Sequence, residues 1–303
     1  MNIDIKKVLR FLTDARYFVC VCCSNGVMNW LPDRHYLPLF YWGHTGEKLD
    51  LKNPKTFNEK MQVLKLRDRD PTYTRMVDKV AAKAYVAERI GIEHIIPTLG
   101  VWNQIEDIDF DSLPNQFVLK CTHDSGGLVV CRDKSKLDYD FVCKLMRKTL
   151  RRNFYKYGRE WPYKDVPRRI IAEEYMSDNE GDKEGLTDYK IFCFDGEPEF
   201  VMTVRDRRTS KITHRWYTKK WELTDLDIDG RGEKKIAESR PEQLEEMLEY
   251  ARVLSKGLKH LRVDMYVIKG KVYFGELTFY HMSGTEAFYP KSWDMELGKY
   301  IHI

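Results

Sequence analysis

Two acids stand out from their neighbours in the stretch Arg262 to Thr278, RVDMYVIKGKVYFGELT. Apolar residues run into Lys-Gly-Lys and out again, the pattern of a β-hairpin with buried side chains, yet it carries Asp264 and Glu276. Side chains alternate faces along a strand, so the loop decides whether the two acids meet. A two-residue loop at Lys269-Gly270 pairs Ile268 with Lys271 and sends the acids to opposite faces. A three-residue loop ending at Gly270 pairs Val267 with Lys271 and makes them diagonal neighbours, their Cα atoms about 7–8 Å apart. Glycine suits the left-handed position of such a loop, so a three-residue loop makes a shared site possible. Two carboxylates on one face repel unless a cation lies between them. Hard divalent ions, especially Mg²⁺ carrying substrate phosphate, answer that need. The alternatives are a solvated face and pairing with Arg262.

Two further stretches point to phosphate and nucleotide. Phe117-Val-Leu-Lys120 ends a strand in a lysine and runs into Cys-Thr-His-Asp-Ser125-Gly126-Gly127 and another strand. A Ser-Gly-Gly loop exposes backbone N–H groups that can wrap phosphate oxygens, with Lys120 as a point charge beside them; a plain turn is the alternative. Ile170-Ile-Ala-Glu-Glu-Tyr-Met176 is an apolar strand ending in two acids, and Asp188-Tyr-Lys190 starts the next. Such an edge can read an adenine through backbone groups and a ribose through a carboxylate; two exposed acids at a strand end are the alternative.

The elements that must position these residues alternate in type. Helical patterns run from about Asn58 and from Met76 to Ile90, with Gly91 where a C-terminal cap belongs. Extended runs follow at 116–120 and 128–131, then a helix over 139–152 and strands at 169–176, 189–194 and 199–205. Asp195-Gly196 joins the last two as a hairpin turn, and Ser239-Arg-Pro-Glu242 reads as a capping box opening a helix to about Lys259. The layout is α+β with antiparallel sheets. Its expected parts are an N-terminal extension (1–57), a helical lobe (58–115), a small lobe with a Gly-rich lid (116–176) and a C-terminal lobe (177–303).

With 303 residues, 43% hydrophobic and 13% aromatic, the composition excludes a disordered or fibrous chain. The net charge of +4 leaves anion binding to local clustering. The apolar run Tyr17–Cys23 is far short of the ~20 residues needed to span a bilayer, and Asp14 and Arg16 argue against a signal peptide. The basic, amphipathic first turn suits a peripheral membrane contact; an N-terminal helix and strand packed on the body is the preferred reading. Seven scattered cysteines fit reduced thiols and a cytoplasmic protein. Cys20 and Cys22 would share a strand face with Cys23 turned away, which argues against zinc there.

In order along the chain, Thr56-Phe-Asn-Glu-Lys60, Asp78-Lys79, Lys120-Cys-Thr-His-Asp-Ser-Gly-Gly127, Glu173-Glu-Tyr-Met176, Arg262-Val-Asp264 and Glu276-Leu-Thr-Phe-Tyr280 resemble the ATP-grasp superfamily of carboxylate–amine ligases. More closely, they resemble its TupA-like branch of polysaccharide biosynthesis, from about Tyr36 onward. The resemblance implies ATP held between two lobes, with Lys79 and Lys120 on the phosphates and Ser125, Gly126 and Gly127 as the lid. Glu173, Glu174, Tyr175 and Met176 would line the adenine pocket, Asp188 would meet the ribose, and Lys190 would be a further nucleotide contact. Asp264 and Glu276 would bind Mg²⁺, and Arg262, with Lys120, would steady an acyl phosphate and a tetrahedral intermediate. Many relatives have Asn where this chain has Thr278, a weaker neutral ligand, which leaves open one ion or two. The implied reaction is amide formation between an amino acid or related amine and a hexuronic acid.

Arg205, His281, Ser283 and Gly284 are the substrate-side candidates, with His281 expected at the surface. Between Lys144 and Arg169, ten Lys/Arg face two acids and are interleaved with Phe154, Tyr155, Tyr157, Trp161 and Tyr163. Such a stretch suits either a solvated helix face or stacking on an anionic sugar. A nucleic-acid binder leaves Asp264 and Glu276 unexplained. A glycosyltransferase would use Asp225-Leu-Asp-Ile-Asp229 for metal, and an ATP-dependent sugar kinase would keep the same nucleotide site.

Overall fold

Two antiparallel sheets carry the residues singled out above, in a computed structural model that describes residues 5–178, 186–206, 212–230 and 236–303. The smaller sheet has the order β1-β4-β2-β3, from Thr98–Trp102 (β1), Phe117–Cys121 (β2), Leu128–Cys131 (β3) and Ile170–Glu174 (β4). The larger has the order β7-β6-β5-β8-β9, from Asp188–Phe194 (β5), Glu197–Arg205 (β6), Thr213–Thr218 (β7), His260–Ile268 (β8) and Lys271–Thr278 (β9). The class is α+β. Neither β1 nor β7 is expected from the sequence: Gly100 interrupts the apolar run of β1, and β7 opens on the polar residues Thr213, His214 and Arg215.

The helices are Ile5–Thr13 (α1), Ala15–Ser24 (α2), Asp33–Thr45 (α3), Phe57–Arg67 (α4), Thr72–Val77 (α5), Ala81–Ile90 (α6), Tyr139–Leu150 (α7), Phe154–Gly158 (α8), Leu244–Ser255 (α9) and Ser292–Lys299 (α10). All seven residues of β5 are buried, because helices cover both faces of the larger sheet. On one face α9 packs Met247, Ala251 and Leu254 into the main core. On the other, Phe57 of α4 meets Phe194 and His260 edge-on. A capping box fixes the start of α4: Thr56 Oγ1 accepts from Glu59 N, and Glu59 Oε2 accepts from Thr56 N. The capping box expected at Ser239–Glu242 does not form. Leu244 N donates to Pro241 O in a turn, and α9 starts only afterwards, with no side-chain cap.

Three other expectations are corrected. The segment Tyr17–Cys23 belongs to a helix, α2, begun by Asp14, whose carboxylate accepts from Tyr17 N at 3.0 Å. It packs Val19 and Cys23 against Tyr36, Leu37, Phe40 and Tyr41 of α3, a helix hidden in the sequence by Pro38 and its aromatic neighbours. The expected single helix from Met76 to Ile90 is broken between α5 and α6 at Asp78, whose ψ of 114° is extended. Asp78 bonds Val80 N at 3.1 Å and Arg169 at 2.6 Å, and these partners hold the break.

The hairpin of β8 and β9 turns on two residues, not three. Ile268 pairs with Lys271, and Lys269 and Gly270 take φ values of 50° and 76°. The acids nevertheless share a face, because the register slips: Asp264 pairs with Glu276, but Met265 pairs with Phe274. Gly275 is the extra residue of this bulge, and one extra residue reverses the parity. A Cβ there would lie 2.9 Å from the Asp264 carbonyl oxygen, so the bulge needs glycine.

Candidate active site

Strand register lines up two rows of side chains on one face of the larger sheet. Lys190, Asp264 and Glu276 are direct neighbours across β5, β8 and β9, and Phe192, Arg262 and Thr278 form the next row. Arg262 is buried and donates from Nε to Asp264 Oδ1 at 2.6 Å and from Nη2 to Asp264 Oδ2 at 2.8 Å. The same Nη2 reaches Glu276 Oε1 at 2.9 Å and Thr278 Oγ1 at 3.0 Å. Lys190 pairs with Asp264 and, at 2.8 Å, with Asp188. Burial alone would push the Asp264 carboxyl up; Arg262 first, then Lys190, hold it well below the usual carboxylate range. Asp264 is 2% exposed and Glu276 43%, so the row opens to solvent on the Glu276 side.

The lysines gather at the smaller sheet. Glu173, buried on β4, pairs with Lys120 of β2 and, at 2.6 Å, with Lys83 of α6. Burial would raise Glu173, but Lys120 and then Lys83 hold it below the ordinary range. Lys83 also donates to Ile96 O at 2.6 Å and Thr98 Oγ1 at 2.9 Å. Because of the break at Asp78, Lys79 points to the loop after β2 and donates to Asp124 O at 2.6 Å. Burial lowers the Lys79 ammonium, and Glu276 is the largest influence opposing that shift, so this lysine lies electrostatically between the loop and the acid row.

Ser125 and Gly126 are exposed and Gly127 is buried against Thr149 of α7. Asp124 ties the loop down: its Oδ1 accepts from Gly126 N at 3.2 Å and its Oδ2 from Arg152 at 3.0 Å. Asp124, Arg152 and Lys83 were not foreseen. The Asp-Ser-Gly order, which favours a side-chain-to-backbone turn, was a signal for the first. The i, i+4 spacing of Lys79 and Lys83 within the helical pattern expected over 76–90 was a signal for the last.

Other expected residues lie as follows. Glu174 is exposed at the end of β4, Tyr175 and Met176 are half-buried just beyond it, and Arg132 stacks over the Tyr175 ring at 5.9 Å. Asp188 is buried one register step beyond the acid row, where it pairs with Lys190. Arg205 sits at the far end of β6 on the opposite face of the sheet, paired with Glu238 at 3.1 Å, and is not brought to the acids. His281 is buried, contrary to its expected surface position, because it is enclosed by Arg262, Glu286 and the Phe192 and Trp216 rings. Its Nδ1 lies 2.9 Å from Arg262 Nη1 and its Nε2 3.3 Å from Glu286 Oε2.

Met282, Ser283 and Gly284 all take left-handed φ values, and α4 pins the turn they form. Gln62 Nε2 donates to the Ser283 and Gly284 carbonyls, Asn58 brackets the Glu286 backbone, and buried Lys65 reaches Ser283 O at 2.8 Å and Oγ at 2.9 Å. Burial lowers Lys65 to about 7 against the pull of Glu160, whose own carboxyl burial raises. Asn58, Gln62 and Lys65 fall at i, i+4 and i+7, a buried polar stripe that sequence reasoning could have found.

The aromatic residues between 144 and 169 do not form an open sugar platform, because they have partners within the protein. Tyr155 bonds Asp33, Tyr157 bonds His44, Phe154 packs on Tyr163, and Trp161 and Tyr163 pack against the main core. The acids of 225–229 are likewise engaged. Asp225 accepts from Trp293, Asp227 from the Asp229 and Gly230 amides, and Asp229 pairs with His214. Among the described residues, no group of three or more His, Cys, Asp or Glu could hold a metal ion.

The geometry is that of a fold with a basic, Gly-rich small sheet beside a carboxylate-bearing larger one, and comparison with known proteins gives it a class. The profile of the TupA-like ATP-grasp family matches residues 59–302, and the chain belongs to that family. A search of curated proteins returns no match. Similar solved structures include a D-alanine–D-alanine ligase from Bacillus anthracis complexed with ATP, at 18% identity over 67% of this chain and 55% of that one, TM-score 0.39. The corresponding ligase from Helicobacter pylori matches at 15% identity over 81% and 69%, TM-score 0.43. An L-amino acid ligase from Bacillus licheniformis matches at 12% over 75% and 49%, TM-score 0.45. The chain spans just over half the length of the first of these ligases.

Proposed function

We propose that the protein is an ATP- and Mg²⁺-dependent ligase that joins an amine, such as an amino acid, to the carboxylate of an acidic saccharide. The observation that carries this reading is the row Lys190–Asp264–Glu276 with Arg262 beside it and Lys79 between it and the Gly-rich loop. In the proposed reaction a substrate carboxylate oxygen attacks the γ-phosphorus of ATP, the bond to the β-phosphate oxygen breaks, and ADP leaves. The amine nitrogen then attacks the acyl carbon, phosphate leaves, and the amine loses a proton. Charge builds on oxygen in both steps, so fixed cations and loop amides can act through electrostatics, with no nucleophilic side chain.

Within this reading Lys79, Lys120 and the 125–127 amides hold phosphates, and the strand end 173–176 lines the adenine site. Glu173 holds Lys120 and Lys83 in place. Asp188 is assigned to holding Lys190 beside the acid row rather than to a ribose. Glu276 and Thr278 offer only hard oxygens on the open side of the row, with Asp264 buried behind them and held by Arg262 and Lys190; this donor set fits Mg²⁺, which when bound would neutralise phosphate charge. Arg262, fixed by Asp264 and His281, would face the developing oxyanion. The exposed cations Lys148, Arg151 and Lys164, with Arg152, favour an anionic acceptor. The four-part division of the chain given above goes with this reading.

The test is ADP release and amide formation with a panel of uronic acids and amino acids, comparing the natural protein with Glu276→Gln. Expected are ADP and amide together, with turnover lowered at least about a hundredfold in the variant. Phosphorylated sugar without amide would make the protein a kinase, and full activity in the variant would remove Glu276 from the site.

A further inference from the structure

We infer that Glu160 is the group that takes up the amine substrate and accepts its proton. The assignment rests on the ligase reading and goes beyond it by naming the residue that makes the amine nucleophilic. Among the described residues six carboxylates are buried: Asp78, Asp124, Glu160, Glu173, Asp188 and Asp264. Five have a lysine or arginine nitrogen at 3.0 Å or closer, whereas Glu160 forms no ion pair. A buried carboxylate without a paired cation is costly to keep, and such groups gather where chemistry uses them. Nor does Lys65, the cation that pulls most on Glu160, need it as a partner. An ammonium has three donors, and Lys65 Nζ is met by Gln62 Oε1 at 3.0 Å, Ser283 O at 2.8 Å and Ser283 Oγ at 2.9 Å. The Ser283 hydroxyl accepts from Lys65 and donates to Glu160.

The fold brings this carboxylate to the acid row. Ser283 lies on the left-handed turn whose His281 accepts from Arg262, and Arg262 and Glu276 are the other charges that act on Glu160. Tyr163, three residues on, lies in the fields of Glu160, Glu276, Arg262 and Asp124, so the segment runs between the acid row and the Gly-rich loop. The N-terminal helices pin it there. Arg159, left-handed at φ 55°, stacks on the Tyr36 ring at 4.2 Å and donates to the Asn29 and Leu31 carbonyls at 3.2 and 3.4 Å. Gly158 permits the close approach, since a Cβ there would collide with Ser283 Oγ and lie 3.3 Å from Glu160 Oε1. Burial raises the Glu160 carboxyl against the pull of Lys65, the direction that suits a proton acceptor. An amino acid reaches the site as an ammonium, which has no lone pair. Glu160 takes one proton and frees the nitrogen, which attacks the acyl carbon. The bond from that carbon to the phosphate oxygen breaks, its electron pair stays on the phosphate, and the phosphate takes the second proton. Glu160 then gives its proton to water.

Hydroxylamine separates this role from every other, because its nitrogen is largely unprotonated at neutral pH and needs no base. Hydroxamate from hydroxylamine and amide from the amino acids are measured with the same uronic acids and ATP, for the natural protein and for Glu160→Gln. Amide turnover in the variant should fall about a hundredfold or more, while hydroxamate formation stays within about threefold and shows that the variant folds and makes acyl phosphate. Glu160→Asp, which keeps a carboxylate, should recover part of the amide rate. Equal retention of both products in the glutamine variant overturns the inference, as does equal loss of both, and so does an aspartate variant no faster than the glutamine one. Absence of hydroxamate from the natural protein with every acid is a different result: it removes the ligase reading, and the role of Glu160 with it.

Discussion

Arg262 carries five hydrogen bonds, to Asp264, Glu276, Thr278 and His281, and their directions constrain one another. A guanidinium can only donate, so His281 accepts at Nδ1 and its proton stays on Nε2, facing Glu286. Burial lowers the His281 pKa while Glu286 opposes it, leaving the ring neutral near pH 7 and able to accept. A charged imidazole in that position would confront the guanidinium. Replacing His281 by Ala should therefore cost about 10–100-fold in turnover number while the KM for ATP changes little, and His281→Gln should recover part of the loss. Steady-state ADP release measures both; an unchanged turnover number would mean that the carboxylates alone orient Arg262. The two acids and Arg262 were legible in the sequence because charge in an apolar hairpin has few explanations. The buried position of His281 was not, because it depends on a left-handed turn held from α4, more than 200 residues away in sequence.

At the scale of elements, the larger sheet was legible wherever apolar runs and turn residues coincided, as at Asp195-Gly196, where both φ values are positive. The hairpin of the acid row shows the limit of that method. Counting alternation from the correct two-residue loop puts Asp264 and Glu276 on opposite faces, and the three-residue loop that would bring them together is not the one present. A bulge adds a residue without a hydrophobic signal; its sign in the sequence is a glycine inside a strand. Gly275→Ala should force the Asp264 carbonyl away from a Cβ that would otherwise lie at 2.9 Å, shifting Glu276 relative to Asp264. The expected result is a rise of tenfold or more in the Mg²⁺ concentration for half-maximal ADP release. The accompanying stability loss should be only about 1–3 kcal/mol, within the usual cost of a strained substitution. Magnesium titrations beside urea unfolding separate the two effects, and an unaltered magnesium requirement would show that the bulge does not set the acid pair.

The whole molecule rests on one large core joining α4, α9 and the five-stranded sheet, and His260 is enclosed within it by Phe57, Phe192 and Phe194. The sequence marked β8 as apolar but gave no sign that its first residue would face three rings across the sheet, since those contacts come from segments far apart. Burial, with the nearby His281 and Arg262, lowers this histidine from 6.5 to about 3. Between those two pH values the unfolded chain binds a proton that the folded protein refuses. Stability must therefore fall as pH drops below about 6.5 and level off near pH 3. At pH 5 the loss assigned to His260 is about 2 kcal/mol relative to pH 7.5. His281, also lowered, adds to it in the same direction. His260→Leu removes the titrating group while keeping an apolar side chain among the rings. Its unfolding free energy should change between pH 7.5 and pH 5 by about 2 kcal/mol less than that of the natural protein, read from urea midpoints at the two pH values. Equal changes in both proteins would place the acid sensitivity elsewhere, with His281 and the Lys65–Glu160 pair as the next groups to replace.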